Sequence, residues 1–462
     1  MQILANKWMY SLMRSSAALA LVMLVACSQN MASPPEVKLP DKWNTKTNAV
    51  EHSEKEINRN WWKAFNDENL NYLIEQAEAN NSEYKIAIER IKEARADYKS
   101  ISSGLYPQVN AYGKANRGDQ GFMYGNKEMT LYEAGFDASW EIDFFGGTLK
   151  KVAAQDALIK SIEYDREAAL QTLRAETARN YITYRSLQNQ RKIVQDNLQA
   201  LNEIKNLVET RAKAGLANEI ELNQVDSQYQ QLKAKVSDLV GMEVAALNRL
   251  SVIIGKKPGF LDERLFEIEP VPIVNDMVVL NNPSKIILQR PDIKSASETF
   301  IAATNLHEAS LTDMFPKLSL SAFLGRQDTS NSSPATVWNL GGNLLAPLLN
   351  FGKIQGKIDA ADSKKTQAFH QYRKLILLAL EDVETSTSNY ATSLKSEQLN
   401  RKGYESEKQA FELTNERYKR GIENYIKVMQ SLANVYETAT KLVQDREKIA
   451  NNFVALNKSL GI

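Results

Sequence analysis

Apolar residues follow two rhythms along this chain, and the points where one gives way to the other mark its elements. Steps of three and four run through Val225, Tyr229, Leu232, Val236, Val240, Val244 and Leu247. They return through Leu432, Val435, Ala439, Leu442, Ile449, Phe453, Leu456 and Leu460, with Arg446 in the same series. Sustained over several turns, that spacing keeps one helix side apolar and predicts coiled-coil seams. No proline falls between Thr148 and Arg211, so a continuous helix there would measure roughly 95 Å at 1.5 Å per residue. Asp67 is placed to cap a helix with Leu70, Leu73, Ile74 and Ala77 on its inner face, running on to about Gly104. The apolar run from Leu375 to Leu380 fits a wide helix face and is too short to cross a membrane.

The second rhythm has period two. After Pro107, the stretch Tyr132 to Asp143 sets Ala134, Phe136, Ala138, Trp140 and Ile142 against Gly135, Asp137, Ser139, Glu141 and Asp143. This is a strand with one apolar and one acidic face. Pro316 opens a comparable stretch, followed by a Ser/Asn loop and a segment reaching Pro347. Two hairpins of strands about ten residues long are predicted, a length that crosses a bilayer when tilted. Four strands cannot close a barrel, and an open edge is not tolerated in lipid, so a membrane reading requires several chains to share one barrel. The alternative at this point is the edge of a soluble sheet.

The two rhythms occur twice. RAKAGLANEIELNQ at 211–224 is echoed by RYKRGIENYIKVMQ at 417–430, and Arg211/Arg417, Gly215/Gly421 and Gln224/Gln430 share one offset (417 − 211 = 206). Phe145-Gly146 and Phe351-Gly352 keep the same offset, as do Gly255 and Gly461. A constant offset marks an internal repeat. Each repeated phrase reads as the turn of a helical hairpin, with glycine at the φ > 0 position and arginine in the last turn of the first helix. The predicted organisation is a signal segment at 1–26, a tether at 27–66, a first repeat at 67–255 with its strand hairpin near 107–143, a linker at 256–285, and a second repeat at 286–462 with its hairpin near 316–347.

Composition narrows the function. The formal net charge is +1, which provides no field for nucleic acid. Only 20 Gly and 12 Pro interrupt 462 residues, favouring long elements. His52, His307 and His370 are far apart and lack the spacing of metal ligands or a catalytic triad. Period two simply places Asp137, Glu141 and Asp143 on one strand face, and no phosphate-cradling glycine loop is present. No enzyme, metal site or cofactor is expected. At the N-terminus, Lys7 and Arg14 precede an apolar run from Ala17 to Ala26, which fits a secretory signal. Leu24-Val25-Ala26-Cys27 resembles the bacterial lipobox. Cys27, the only cysteine, is therefore expected to carry a covalent lipid, and Ser28 after it accords with sorting to the outer membrane.

Taken together, several motifs resemble the TolC-type outer-membrane efflux family, in its lipoprotein (OprM/NodT-like) branch. They are the lipobox, Trp61-Trp62-Lys63-Ala64-Phe65 with Asp67 and Leu70, Gln289-Arg290-Pro291-Asp292-Ile293, Asn350-Phe351-Gly352-Lys353, and Arg417-Tyr418-Lys419-Arg420-Gly421 with Tyr425 and Val428. The resemblance covers essentially the whole mature chain. It implies a mainly α fold, a long coiled-coil tunnel, and four strands per chain shared as a 12-stranded barrel in a homotrimer. It further implies an outer-membrane exit duct docking to a periplasmic adaptor and an inner-membrane pump of RND type, with residues 256–285 in a belt around the tunnel. The adaptor would meet the tip at Gly215-Leu216 and Gly421-Ile422. The aperture would be lined by Glu221, Gln224, Ile426, Lys427 and Gln430. Relatives place acids at the second-repeat positions. Lys427 and Gln430 stand there instead, so an alternating Glu221–Lys427 latch is the expectation for this chain. A periplasmic coiled-coil adaptor or scaffold lipoprotein is the alternative function.

Overall fold

The structure is a computed structural model describing residues 33–45, 47, 49–52, 59–119, 128–274, 278–329 and 332–462. The signal segment and Cys27 lie outside the described residues. The chain divides after Pro35, and the unit described from here is residues 36–462.

A short strand β1 (Val50–His52) and a 3-10 turn (Trp61–Phe65) precede the first helix, α1 (Glu68–Asn80). The Asp67 carboxylate caps α1, accepting from the Leu70 N–H at 2.8 Å, and Leu70, Leu73, Ile74 and Ala77 are buried. The helix expected to run on to Gly104 is in fact two. It breaks at Asn81 (ψ 129°), whose side chain caps α2 (Ser82–Ser103) by accepting from the Tyr84 N–H at 3.0 Å. Asn81 also donates to the Ile253 carbonyl at 2.8 Å. Asparagine offers the backbone an alternative to the helical ladder, and here a tertiary partner fixes that alternative in place.

Strands β2 (Gln108–Asp119) and β3 (Glu128–Ile142) follow, then α3 (Gly147–Lys213) and α4 (Glu219–Ile253). The second repeat adds β4 (Val278–Leu280), α5 (Pro283–Ile287), α6 (Pro291–Leu311), β5 (Lys317–Thr329), β6 (Ser332–Leu345), α7 (Lys353–Lys419) and α8 (Tyr425–Ser459). Both α3 and α7 contain 67 residues, about 100 Å of unbroken helix. The strands run to 12, 15, 13 and 14 residues, longer than the ten expected.

The strands form one antiparallel sheet in the order β2-β3-β5-β6, so the hairpins of the two repeats are joined through β3 and β5. Register aligns Ala111, Phe136, Leu324 and Trp338 across all four strands, with Val109, Ala138, Ala322 and Leu340 in the next row. These rows make one face apolar. Its large side chains are exposed in the single chain, Trp338 and Leu340 each at 75%.

Below the sheet, α3 packs against α2, α4, α6 and α8, and α7 packs against α6 and α8. Along α8 the predicted seam holds, with Leu432, Leu442, Ile449, Phe453, Leu456 and Leu460 buried. Along α4 it drifts by one position: Leu239, Glu243, Leu247 and Leu250 are buried, whereas Val240 and Val244 are 44% and 54% exposed. Glu243 holds its inward seat because Arg191 on α3 donates to it at 2.6 Å, and pairing is what permits a buried charge.

The main core lies at mid-length, where Trp61, Trp62, Phe65 and Phe453 meet Leu261, Leu265, Val271 and Val274. A smaller cluster near the hairpin turns contains Leu201, Ile204, Val208, Val225, Tyr418, Tyr425, Val428 and Leu432. Between Ile254 and Val274 the chain is clasped by Arg185, 1% exposed, which donates to the Tyr181 hydroxyl, the Gln188 side chain, the Glu267 carbonyl and the Glu269 carboxylate. Tyr181 in turn donates to Asp67 at 2.8 Å, so one buried guanidinium ties the start of the helical region to the linker.

Candidate functional site: a two-faced sheet and a helical tip

The sheet's second face is built from the alternate residues. Asn110, Tyr112 and Lys114 of β2 stand beside Glu133, Asp137 and Glu141 of β3, Ser319, Ser321 and Phe323 of β5, and Asn339 and Asn343 of β6. Asn110 donates to Asp137 at 3.3 Å, and Lys317 lies 3.3 Å from Glu141. The Phe323 ring sits where a side chain on Gly325 would have to go, with its Cζ only 2.5 Å from a Cβ built there, and it packs 5.5 Å from the Tyr112 ring. The sheet therefore has one apolar and one polar face, while β2 and β6 leave their outer edges unpaired among the described residues.

At the other end, each hairpin turn repeats the same local chemistry. Gly215 and Gly421 both have φ +73°, a conformation that costs other residues strain. The Leu216 N–H reaches the Arg211 carbonyl at 2.8 Å, and the Ile422 N–H reaches the Arg417 carbonyl at 2.9 Å, closing each helix with the next-but-one amide. The return helices start on Asn218 and Asn424, whose side chains accept from the Glu221 and Lys427 N–H groups, each at 2.9 Å. These caps were missed in the sequence, although both asparagines lie at the repeat offset and asparagine is among the strongest N-caps.

Gly215, Leu216, Gly421 and Ile422 are exposed together at the turns, Leu216 at 70% and Ile422 at 60%. Gln224, Ile426, Lys427 and Gln430 are also exposed, while Glu221 is half-buried. Ile426 is 70% exposed in the single chain. Lys427 lies 3.7 Å from Glu423, which is also 3.6 Å from Arg417; the chain's own partner for Lys427 is therefore Glu423. Beneath them, Tyr418 and Tyr425 are buried, with the Arg211 guanidinium 5.0 Å above the Tyr418 ring. Burial, then Tyr418, then the Glu221 carboxylate push the Tyr425 hydroxyl up to about 12. The hydroxyl stays neutral, and the tip carries its charge on the arginines, Glu221, Glu423 and Lys427.

His307 lies 3.7 Å from Asp362. Among the described residues, no cluster of three or more metal-binding side chains occurs and no helix is long and apolar enough to cross a membrane.

A sequence profile of the family described as outer membrane efflux protein matches residues 73–256 and 282–462. The chain is similar to the pyoverdine export outer membrane protein OpmQ of Pseudomonas aeruginosa, 30% identical over 458 residues that cover 96% of this chain and 95% of that protein. It is also similar to the cation efflux system protein CusC of Escherichia coli, at 24% identity with 92% and 94% covered. Among solved structures it resembles the outer-membrane channel OprN, with a TM-score of 0.83, 25% identity, and 93% and 98% of the two chains covered. The Campylobacter jejuni CmeC outer membrane channel gives 0.83 at 22% identity, with 93% and 95% covered.

Proposed function

Because the chain belongs to the outer membrane efflux protein family, whose role as outer-membrane exit duct it shares, we propose how its own residues assemble and dock that duct. The observation that carries the reading is that one chain holds a sheet with an apolar face and open edges together with two helical hairpins whose long arms measure about 100 Å. Sharing the sheet among three chains satisfies every edge in lipid. A soluble adaptor or scaffold would leave that apolar face in water.

The relative at 30% identity is named for pyoverdine export. The cargo proposed here is small molecules passing through the polar face's lumen without stereospecific contact. The proposed partners are a periplasmic adaptor and, through it, an inner-membrane pump of RND type. The adaptor is assigned to the turns because Gly215-Leu216 and Gly421-Ile422 present backbone and one apolar side chain each at the exposed end. Cys27 is the proposed lipid attachment, anchoring the tether in the inner leaflet of the outer membrane, with no other cofactor. At the aperture, Glu221 of one hairpin and Lys427 of the next alternate around the three-fold axis as a latch, with Glu423 competing for Lys427. Gln224 and Gln430 are the uncharged residues one turn further on.

Gly215→Trp and Gly421→Trp place bulk at the turns while leaving the sheet untouched. Trimers carrying them are expected to reach the outer membrane yet lose cross-linking to the adaptor and lose efflux. Normal cross-linking and efflux in both variants would move the contact elsewhere.

A further inference from the structure

Within the band of the sheet's apolar face stands one charge, Arg326. Along β3 the outward residues run from Ile142 to Tyr132, roughly 34 Å along the strand and about 25 Å once tilted, the height of a barrel's apolar band. Tyr132 marks the end of that band nearest the strand loops and farthest from the helices, which is the extracellular end. Arg326 on β5 is paired in register with Ala134 and Thr336. Its row is therefore one step inside Tyr132, directly beyond the row of Phe136, Leu324 and Trp338.

Its register neighbours are small, and a depression of about 480 Å³ opens around Arg326, with Lys114, Tyr132, Glu133, Asp328 and Pro334 in its lining, so that two cations face two carboxylates there before any ligand enters. Farther out on the same face, Arg117 is neutralised by Glu128 at 3.0 Å. Arg326 has no such ion pair among the described residues. Asp328 shares its strand face one row, roughly 7 Å, farther from the membrane centre. A guanidinium at this depth is costly unless it reaches an anion at the interface.

We propose that Arg326 and the depression around it form a seat for a phosphorylated glycolipid of the outer leaflet, of the lipopolysaccharide class. The inference rests on the outer-membrane reading and adds a specific site to it. The guanidinium fork matches a phosphate's oxygens, and the Thr336 hydroxyl lies across the ladder from it. The exposed Phe136, Leu324 and Trp338 side chains beneath run alongside the acyl chains. Tyr132 stands at the level of the headgroup, as aromatic girdles do.

The test uses trimers of the full chain in phosphatidylcholine vesicles, titrated with purified lipopolysaccharide, with the temperature of trimer dissociation as readout. Resistance to carbonate extraction is scored first, so a chain that does not insert overturns the membrane reading, and the seat with it, before any lipid is added. For inserted wild type, lipopolysaccharide is expected to raise the dissociation temperature. Arg326→Gln is expected to need about tenfold more lipid for the same rise, the loss of one charge-assisted contact. Arg326→Lys should fall between the two, and it keeps the test informative should the glutamine variant assemble poorly. Dephosphorylated lipopolysaccharide and inorganic phosphate are expected to have no effect. An equal rise in wild type and both variants, or a rise with either of those two controls, would overturn the proposal.

Discussion

Arg185 shows how much one residue can organise. It is almost wholly buried and supplies donors to Tyr181, Gln188, Glu267 and Glu269 at once. Removing one partner of a buried ionic network leaves the others unpaired, at a cost of roughly 3 kcal/mol or more. Arg185→Ala is therefore expected to lower the trimer's thermal dissociation temperature, and Arg185→Lys to recover little, since an ammonium group lacks the planar fork. Heat-modifiability on gels reads both. Glu384 is a second single-residue clasp, holding the N-terminal strap through the Asn44 N–H at 2.6 Å, the Thr45 N–H at 2.9 Å and the Thr45 hydroxyl. Burial alone would push its carboxyl up, but the hydrogen bonds from Thr45 and Asn44 together outweigh it and hold the carboxyl below its usual range. Its folded value is depressed, so its contribution is fully present above the ordinary glutamate value near about 4.3 and is lost as pH falls through the depressed value. The protection of the Asn44 and Thr45 amides from hydrogen exchange should fall across that acid window, and Glu384→Gln should show the lowered protection already at neutral pH. Neither residue was legible as a hub in the sequence, because the linker partners of Arg185, Glu267 and Glu269, and the strap partners of Glu384 lie far away along the chain and only the fold brings them together.

At the scale of elements, the repeat made the chain readable. The 206-residue offset carries the turn glycines, and the turns at 215 and 421 share φ, closing amides and asparagine caps. What sequence periodicity misjudged depended on neighbours it cannot see. The Asn81 break needs the Ile253 carbonyl, and the drift of the α4 seam needs Arg191 opposite Glu243. Val240 and Val244 stay exposed in the single chain, and the shared barrel predicts that a neighbouring copy covers them. The hairpin ends also set the aperture prediction. Lys427→Glu places like charges beside Glu221 and Glu423, and single-channel recordings in planar bilayers should show a higher open probability. The double change Glu221→Lys with Lys427→Glu should restore closure. High salt should partly mimic the single change, because exposed pairs are screened. Unchanged conductance in Lys427→Glu would remove the latch and leave Lys427 as the solvated partner of Glu423.

At the scale of the whole molecule, the central claim is that a single chain is an incomplete barrel. Its four-stranded sheet has an apolar face in lipid, a polar face toward the lumen, and two edges, β2 and β6, that only neighbouring copies can pair. The class of fold was legible because strand length and two-sided alternation admit lipid on one side, and the family resemblance carried by motifs such as Trp61–Phe65 and Arg417–Gly421 decided against a soluble sheet edge. The pairing of β3 with β5 was not, because the sequence separates the two hairpins by about 175 residues and no local signal links them. The most direct measurement is disulfide trapping between edges. Cysteines are placed singly at Val109, Ala111 and Gly113 on β2 and at Thr336, Trp338 and Leu340 on β6, then combined in pairs in a chain whose only other cysteine is Cys27. In outer membranes, at least one register of pairs should give a covalent ladder ending at the trimer, and every single-cysteine control should remain monomeric on denaturing gels. Absence of inter-chain trapping in every register, with the protein folded and inserted, would contradict the shared barrel.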